Sequence, residues 1–199
     1  NKEEAKKMSY VFIPNTITVV NLLCGVLAII TALKTQFHWS VFYIMVGAIL
    51  DAFDGRIARK LGVYSPFGAQ LDTKADFITF GVAPAIFITR YIMQSGIDGA
   101  IWVALGLGVL FYSAVHYRLI RYQNSGHHDY FEGLPSPVGA AIIAIAGISV
   151  SASSPGIMIA LSVVLSVLMA SKVAYPHNRL TRHIIIFNQS SKLSIIFWF

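Results

Sequence analysis

The sequence predicts an all-α membrane protein, a bundle of six transmembrane helices, and three observations carry that expectation. First, 56% of the 199 residues are hydrophobic and only 12% are charged. The mean hydropathy of +0.66 lies outside the usual range of a soluble domain. Second, the chain divides into six apolar runs near the length of about 20 residues that a helix needs to cross a bilayer. Third, of the fifteen Lys and Arg residues, all but Lys34, Arg90 and Lys74 fall on one side of that arrangement, the pattern of cytoplasmic loops. Six spans suffice for one helical bundle and not two, so residues 1–199 read as a single domain with its core at about 13–174.

The elements follow in order. The charged segment NKEEAKKM is expected as a short interfacial helix before helix 1 or as a solvated tail. Helix 1 covers about 13–34 and, having full spanning length and no small-residue cleavage site, is expected to stay in the membrane. Its Cys24 has no second cysteine to pair with, which leaves a hydrophobic filling role. Helix 2 covers about 38–60, helix 3 about 67–93 and helix 4 about 98–122, with Gly62, Pro66 and Gly96 at the breaks. Helices 5 and 6 cover about 135–152 and 155–174, opened by Pro135 and Pro155, which suit a first helical turn. The stretch IIIFNQSSKLSIIFWF is apolar but interrupted, and reads as interfacial or irregular. Both termini and the 2/3 and 4/5 loops then lie in the cytoplasm, as in a multi-pass protein of the cell (inner) membrane. The net charge of +6 points to topology and anionic lipid headgroups, with no nucleic acid expected.

Against this background, residues 50–76, LDAFDGRIARKLGVYSPFGAQLDTKAD, concentrate charge. Asp51 and Asp54 are three residues apart near the cytoplasmic end of helix 2, and Asp72 and Asp76 are four apart near the start of helix 3, so each pair shares a helix face. The short connection makes helices 2 and 3 antiparallel neighbours, and counting outward from it brings the two pairs level, about 10 to 15 Å from the turn. Four carboxylates in a poorly solvated place need positive charge, since each costs about 2.5 kcal/mol or more mid-membrane. Oxygen ligands without His or Cys point to Mg²⁺, Mn²⁺ or Ca²⁺, and four carboxylates can hold two ions, an arrangement that clamps a phosphoryl group. The competing explanation is an internal salt-bridge cluster with Arg56, Arg59 and Lys74, which would desolvate several ions for little gain. Gly55, Ala58 and Gly68 line the same mouth and allow close approach of a ligand to the backbone, although small residues also serve helix packing.

Taken together, Asp51-x-x-Asp54-Gly55-x-x-Ala58-Arg59, eight residues, then Gly68-x-x-x-Asp72-x-x-x-Asp76 resembles the signature of the CDP-alcohol phosphotransferases. These are six-helix membrane enzymes that displace CMP from a CDP-linked donor with an alcohol. The resemblance implies that Asp51, Asp54 and Asp72 bind Mg²⁺ or Mn²⁺, two ions in all, and that Asp76 completes the metal site and is the catalytic base. It implies nucleotide contacts at Asn21, Asp54, Gly55, Ala58, Arg59 and Gly68, Asn21 lying in PNTITVVNLLCG of helix 1. It also implies a homodimer.

HYRLIRYQN, YFEGLPSPVGAA and FGVAPA are similar to segments of the branch of that family that includes the membrane-integral bacterial phosphatidylserine synthases, with CDP-diacylglycerol as donor and L-serine as acceptor. Thr73 and Lys74 depart from the usual wording of that branch, outside the metal ligands. An amino-acid acceptor also suits the residues themselves. Arg118 and Arg121 can hold a carboxylate or phosphate, Pro135 opens a helix whose free N–H groups favour an anion, and Ser136 adds a hydroxyl. His127 and His128 read as exposed loop residues. The rival within the same chemistry is another alcohol, glycerol 3-phosphate or an inositol phosphate, which should demand more cationic side chains. The rival from another class is a cation transporter, for which the outer halves of helices 2 and 3 offer little polar lining beyond Thr79 and Thr89.

Overall fold

The computed structural model describes residues 2–62, 65–96, 98–124, 131–149, 155–171 and 174–175. Its helices are α1 (Lys2–Leu33), α2 (Phe37–Leu61), α3 (Pro66–Asp76), α4 (Ala83–Met93), α5 (Ala100–Asn124), α6 (Ser136–Ser149) and α7 (Pro155–Ala170). A π-helical turn, Phe77–Val82, joins α3 to α4. One small ladder departs from the all-helical expectation: β1 (Phe131–Glu132) pairs antiparallel with β2 (Ala174–Tyr175), Phe131 opposite Tyr175. His127, His128 and the stretch 176–199 lie outside the described residues.

Two sequence expectations change. The N-terminal segment is no separate interfacial helix, because α1 runs unbroken from Lys2 with Pro14 inside it. Proline removes one N–H from the ladder, the one that residue 14 would donate to the carbonyl of residue 10, and membrane helices tolerate that loss of a single bond. The expected helix 3 is also two α-helices around the π turn, in which the Ala83 N–H reaches back to the Ile78 carbonyl. Pro84 follows at once and has no N–H to offer the Phe80 carbonyl, so a local change of hydrogen-bond register accommodates it.

Three stretches are long and apolar enough to cross a bilayer, Phe12–Leu33, Pro66–Met93 and Ala100–Arg121, which marks a membrane protein. α2 has 25 residues but carries the acidic and basic residues of the site in its last turns. α6 and α7, with 14 and 16 residues, reach only about 21 and 24 Å at about 1.5 Å per residue, short of a core about 30 Å thick.

α1 is the central element, packed along α2 and also against α3, the π turn and α4, while α5 packs on α4 and α7 and α2 on α6. The buried core runs through Ala28, Ile44, Phe80, Phe87, Phe111 and Met158, and the outward faces carry Leu23, Ile49, Trp102, Val109 and Val167. Small residues let the backbones approach, as in membrane helix packing generally. A Cβ at Gly47 would lie 2.6 Å from Thr79 Cγ2 and 2.8 Å from Asn21 Oδ1. Gly47→Ala should therefore destabilise the protein by about 1 to 3 kcal/mol, the usual range for overpacking. A lowered unfolding temperature in detergent is the expected readout.

Candidate active site and metal centre

The site forms because α1 holds α2 and α3 apart. Those two helices barely touch, contrary to the expectation that they pack as neighbours, and each lies against α1 instead. Ser65 fixes the start of α3, its hydroxyl accepting the Gly68 N–H at 3.4 Å with Pro66 in the first turn. The carboxylates then meet across the gap. One oxygen each from Asp51, Asp72 and Asp76 lie within 4.8 Å of one another. Asp51 and Asp76 are in hydrogen-bonding contact, and the charges of Asp51 and Asp54 act on Asp72. The level pairing read from the turn thus describes Asp51 and Asp76 well.

Asp72 Oδ1 and Asp76 Oδ1 are buried with no hydrogen-bond partner. Leaving a buried charged acceptor unsatisfied costs more than the 1 to 3 kcal/mol or so of a neutral one. Crowded oxygens, buried and lacking protein donors, fit a hard divalent cation, so this cluster can hold a metal ion. The salt-bridge alternative finds no support in Arg56 and Lys74, which are both exposed; the side chain of Arg59, like that of Ala58, lies outside the described residues.

Asp54 takes a different position. It is 5% exposed, and its Oδ2 accepts a hydrogen bond from the Thr18 hydroxyl at 2.9 Å. The backbone N–H of Gly55 also serves this carboxylate. Asn21 is fully buried, and neither atom of its side-chain amide has a hydrogen-bond partner. Its carbonyl accepts from the Thr79 hydroxyl at 3.1 Å. Gly47 lies one turn from Asp51 and Thr79 just under one turn from Asp76, so Asn21 sits one level deeper than the carboxylates. Gly55 is half-buried. At Gly68 a Cβ would come 2.6 Å from Asn15 Oδ1, so this glycine is required for the contact between α3 and α1.

The residues expected at the acceptor end divide. Arg118 Nη1 donates to Ser136 Oγ at 2.8 Å, and its charge acts on Asp51. Ser136 is fully buried as the first residue of α6. Arg121 instead reaches the end of α7, Nη1 donating to the Ala170 carbonyl at 3.3 Å and Nη2 to the Ser171 carbonyl at 3.1 Å. Its guanidinium also lies 5.7 Å from the Tyr117 ring centroid.

Thr18, Asn15 and Thr79 belong to the site region but were not expected there. The signal for the first two was available: Asn15, Thr18 and Asn21 recur every third residue along an otherwise apolar helix and so mark one polar stripe.

The chain is 34% identical over 172 residues to the CDP-diacylglycerol–serine O-phosphatidyltransferase of Bacillus subtilis, covering 83% of this chain and 90% of that protein. The enzyme of the same name from Methanocaldococcus jannaschii is 32% identical over 184 residues, covering 92% and 83%. The one from Mycobacterium leprae is 34% identical over 139 residues, which cover 66% of this chain and 45% of that longer protein. The family model for CDP-alcohol phosphatidyltransferases matches residues 11–168, a stretch that contains all four aspartates and the helices that carry them, and the chain belongs to that family.

Proposed function

We propose that this protein transfers the phosphatidyl group of CDP-diacylglycerol to the hydroxyl of L-serine, giving phosphatidylserine and CMP. The observation that carries the reading is the meeting of Asp51, Asp72 and Asp76 within 4.8 Å beside the Arg118–Ser136 pair. Asp51, Asp54, Asp72 and Asp76 hold two ions of Mg²⁺ or Mn²⁺. When bound, the ions supply Lewis-acid stabilisation of charge on the phosphoryl oxygens and the leaving group. Asp76 is the base that takes the serine hydroxyl proton; the serine oxygen forms its bond to the phosphorus bearing diacylglycerol as the bond to the CMP oxygen breaks. Asn21, Gly55, Ala58, Arg59 and Gly68 form the nucleotide end of the site. Six helical segments cross the inner membrane, the bilayer thinning locally at the shorter α6 and α7, the site opens to the cytoplasm, and the protein works as a homodimer.

Arg118 and Ser136 bind the serine carboxylate, and Arg121 anchors the end of α7 beside them. Arg118→Ala should raise the KM for serine by about 10- to 100-fold, the value of a lost charge-assisted hydrogen bond, with a much smaller effect on the KM for CDP-diacylglycerol. Steady-state kinetics in mixed micelles measure both. The deciding assay follows CMP release by purified protein with CDP-diacylglycerol, Mn²⁺ or Mg²⁺, and serine, glycerol 3-phosphate or an inositol phosphate as acceptor. Release dependent on serine supports the proposal; release with a phosphorylated alcohol alone overturns the acceptor. Absence of release with any of them overturns the transferase reading.

A further inference from the structure

Five threonines on three helices show what this chain ordinarily does with a helical hydroxyl. Thr16, Thr31, Thr73 and Thr89 donate to the carbonyl four residues back, at 2.8, 2.7, 3.0 and 2.8 Å, a common local arrangement. Thr18 is different. Its own such acceptor, the Pro14 carbonyl, is at 3.0 Å, but Asp54 Oδ2 on α2 is at 2.9 Å. A hydroxyl has one proton to donate, and the carboxylate is the stronger acceptor. Thr18 and Asp54 are 4% and 5% exposed, so water does not replace this bond readily.

The geometry points to Thr18 as a positioning residue for the metal centre. Its hydroxyl holds Oδ2 of Asp54 against α1 and so fixes the rotamer of a carboxylate whose charge acts on Asp72 and Asp76. Metal affinity then depends on a side chain that touches no ion. This rests on the metal reading given above, and a partner of a metal ligand characteristically changes metal affinity by about 10- to 100-fold when removed.

Thr18→Val keeps the shape and removes the hydroxyl, while Thr18→Ser keeps the hydroxyl and removes a methyl. Electron paramagnetic resonance of free Mn²⁺, titrated with the purified full-length chain in detergent, measures affinity without reference to turnover. The expected result is a loss of about 10- to 100-fold for Thr18→Val, with affinity close to the original for Thr18→Ser. Combined with Asp54→Asn, Thr18→Val should add little further loss, because both act through one carboxylate. Thr18→Ala carries the same comparison if valine prevents folding. Unchanged affinity in Thr18→Val, equal losses in Thr18→Val and Thr18→Ser, or full additivity with Asp54→Asn would each overturn the positioning role. Failure of the unsubstituted protein to bind Mn²⁺ would overturn the metal reading itself, and the inference with it.

Discussion

Asp72→Asn is expected to lower CMP release from CDP-diacylglycerol and serine by at least about 10³-fold, since ion binding supplies several kcal/mol and each 1.36 kcal/mol or so is a factor of ten. Asparagine preserves the volume on α3 but removes the charge. Asp72 Oδ1 is buried without a protein donor, and the negative charges of Asp54 and Asp51 act on that carboxylate. The same substitution relieves repulsion when no metal is bound. The metal-free variant should therefore unfold at a higher temperature than the metal-free original, a trade of stability for activity common at functional sites. Mn²⁺ should stabilise the original protein and leave the variant nearly unmoved, by the mass-action effect of a ligand that binds only the folded state. Near-normal turnover by Asp72→Asn would remove this aspartate from the metal centre.

The aspartates were legible in the sequence because helical periodicity alone places Asp51 with Asp54 and Asp72 with Asp76. Counting from a short turn then sets the two pairs at one depth. What that arithmetic does not contain is the helix between them. α1 has no charge in its apolar part, yet it separates α2 from α3 and so opens the gap in which the carboxylates meet. Its polar stripe at Asn15, Thr18 and Asn21 is the trace of that role, readable as a stripe in the sequence but without the partners on α2 and α3 that give it meaning. The π turn after Asp76 was hidden for a similar reason, because a change of hydrogen-bond register has no fixed residue signature apart from Pro84. The start of helix 1 near residue 13 was set too late, because α1 continues back through Pro14 to Lys2. Arg121 shows the limit at the other end of the site, since its contact with α7 joins residues about fifty positions apart.

The hydroxyls of Thr79 and Thr89 bear on the transporter alternative. Thr79 donates to the Asn21 carbonyl at 3.1 Å, and Thr89 to the Ala85 and Ala104 carbonyls at 2.8 and 3.3 Å. Both therefore serve helix packing, one between α1 and the π turn and the other between α4 and α5. Polar lining that is already bonded to backbone does not replace the hydration shell of a passing cation.

Asp76→Asn should separate metal binding from turnover. If Asp76 takes the proton of the serine hydroxyl, its replacement should lower kcat by about 10²- to 10⁴-fold, the usual contribution of general base catalysis. Asp51, Asp54 and Asp72 remain to hold the ions, so Mn²⁺ affinity should fall far less than in Asp72→Asn. The geometry favours this division of roles. Asp76 ends α3 immediately before the π turn, its Oδ1 is buried with no partner, and it touches Asp51, on which the charge of Arg118 also acts. A base there adjoins Asp51, the carboxylate that links the proposed metal ligands to the Arg118 charge proposed to bind serine. Rapid-quench measurement of the first turnover isolates the chemical step from product release. A variant with serine transfer at the original rate would refute the base assignment, and one with metal binding lost as completely as in Asp72→Asn would make Asp76 a ligand first. Loss of the chemical step with metal affinity largely retained is the outcome that the position of Asp76 leads us to expect.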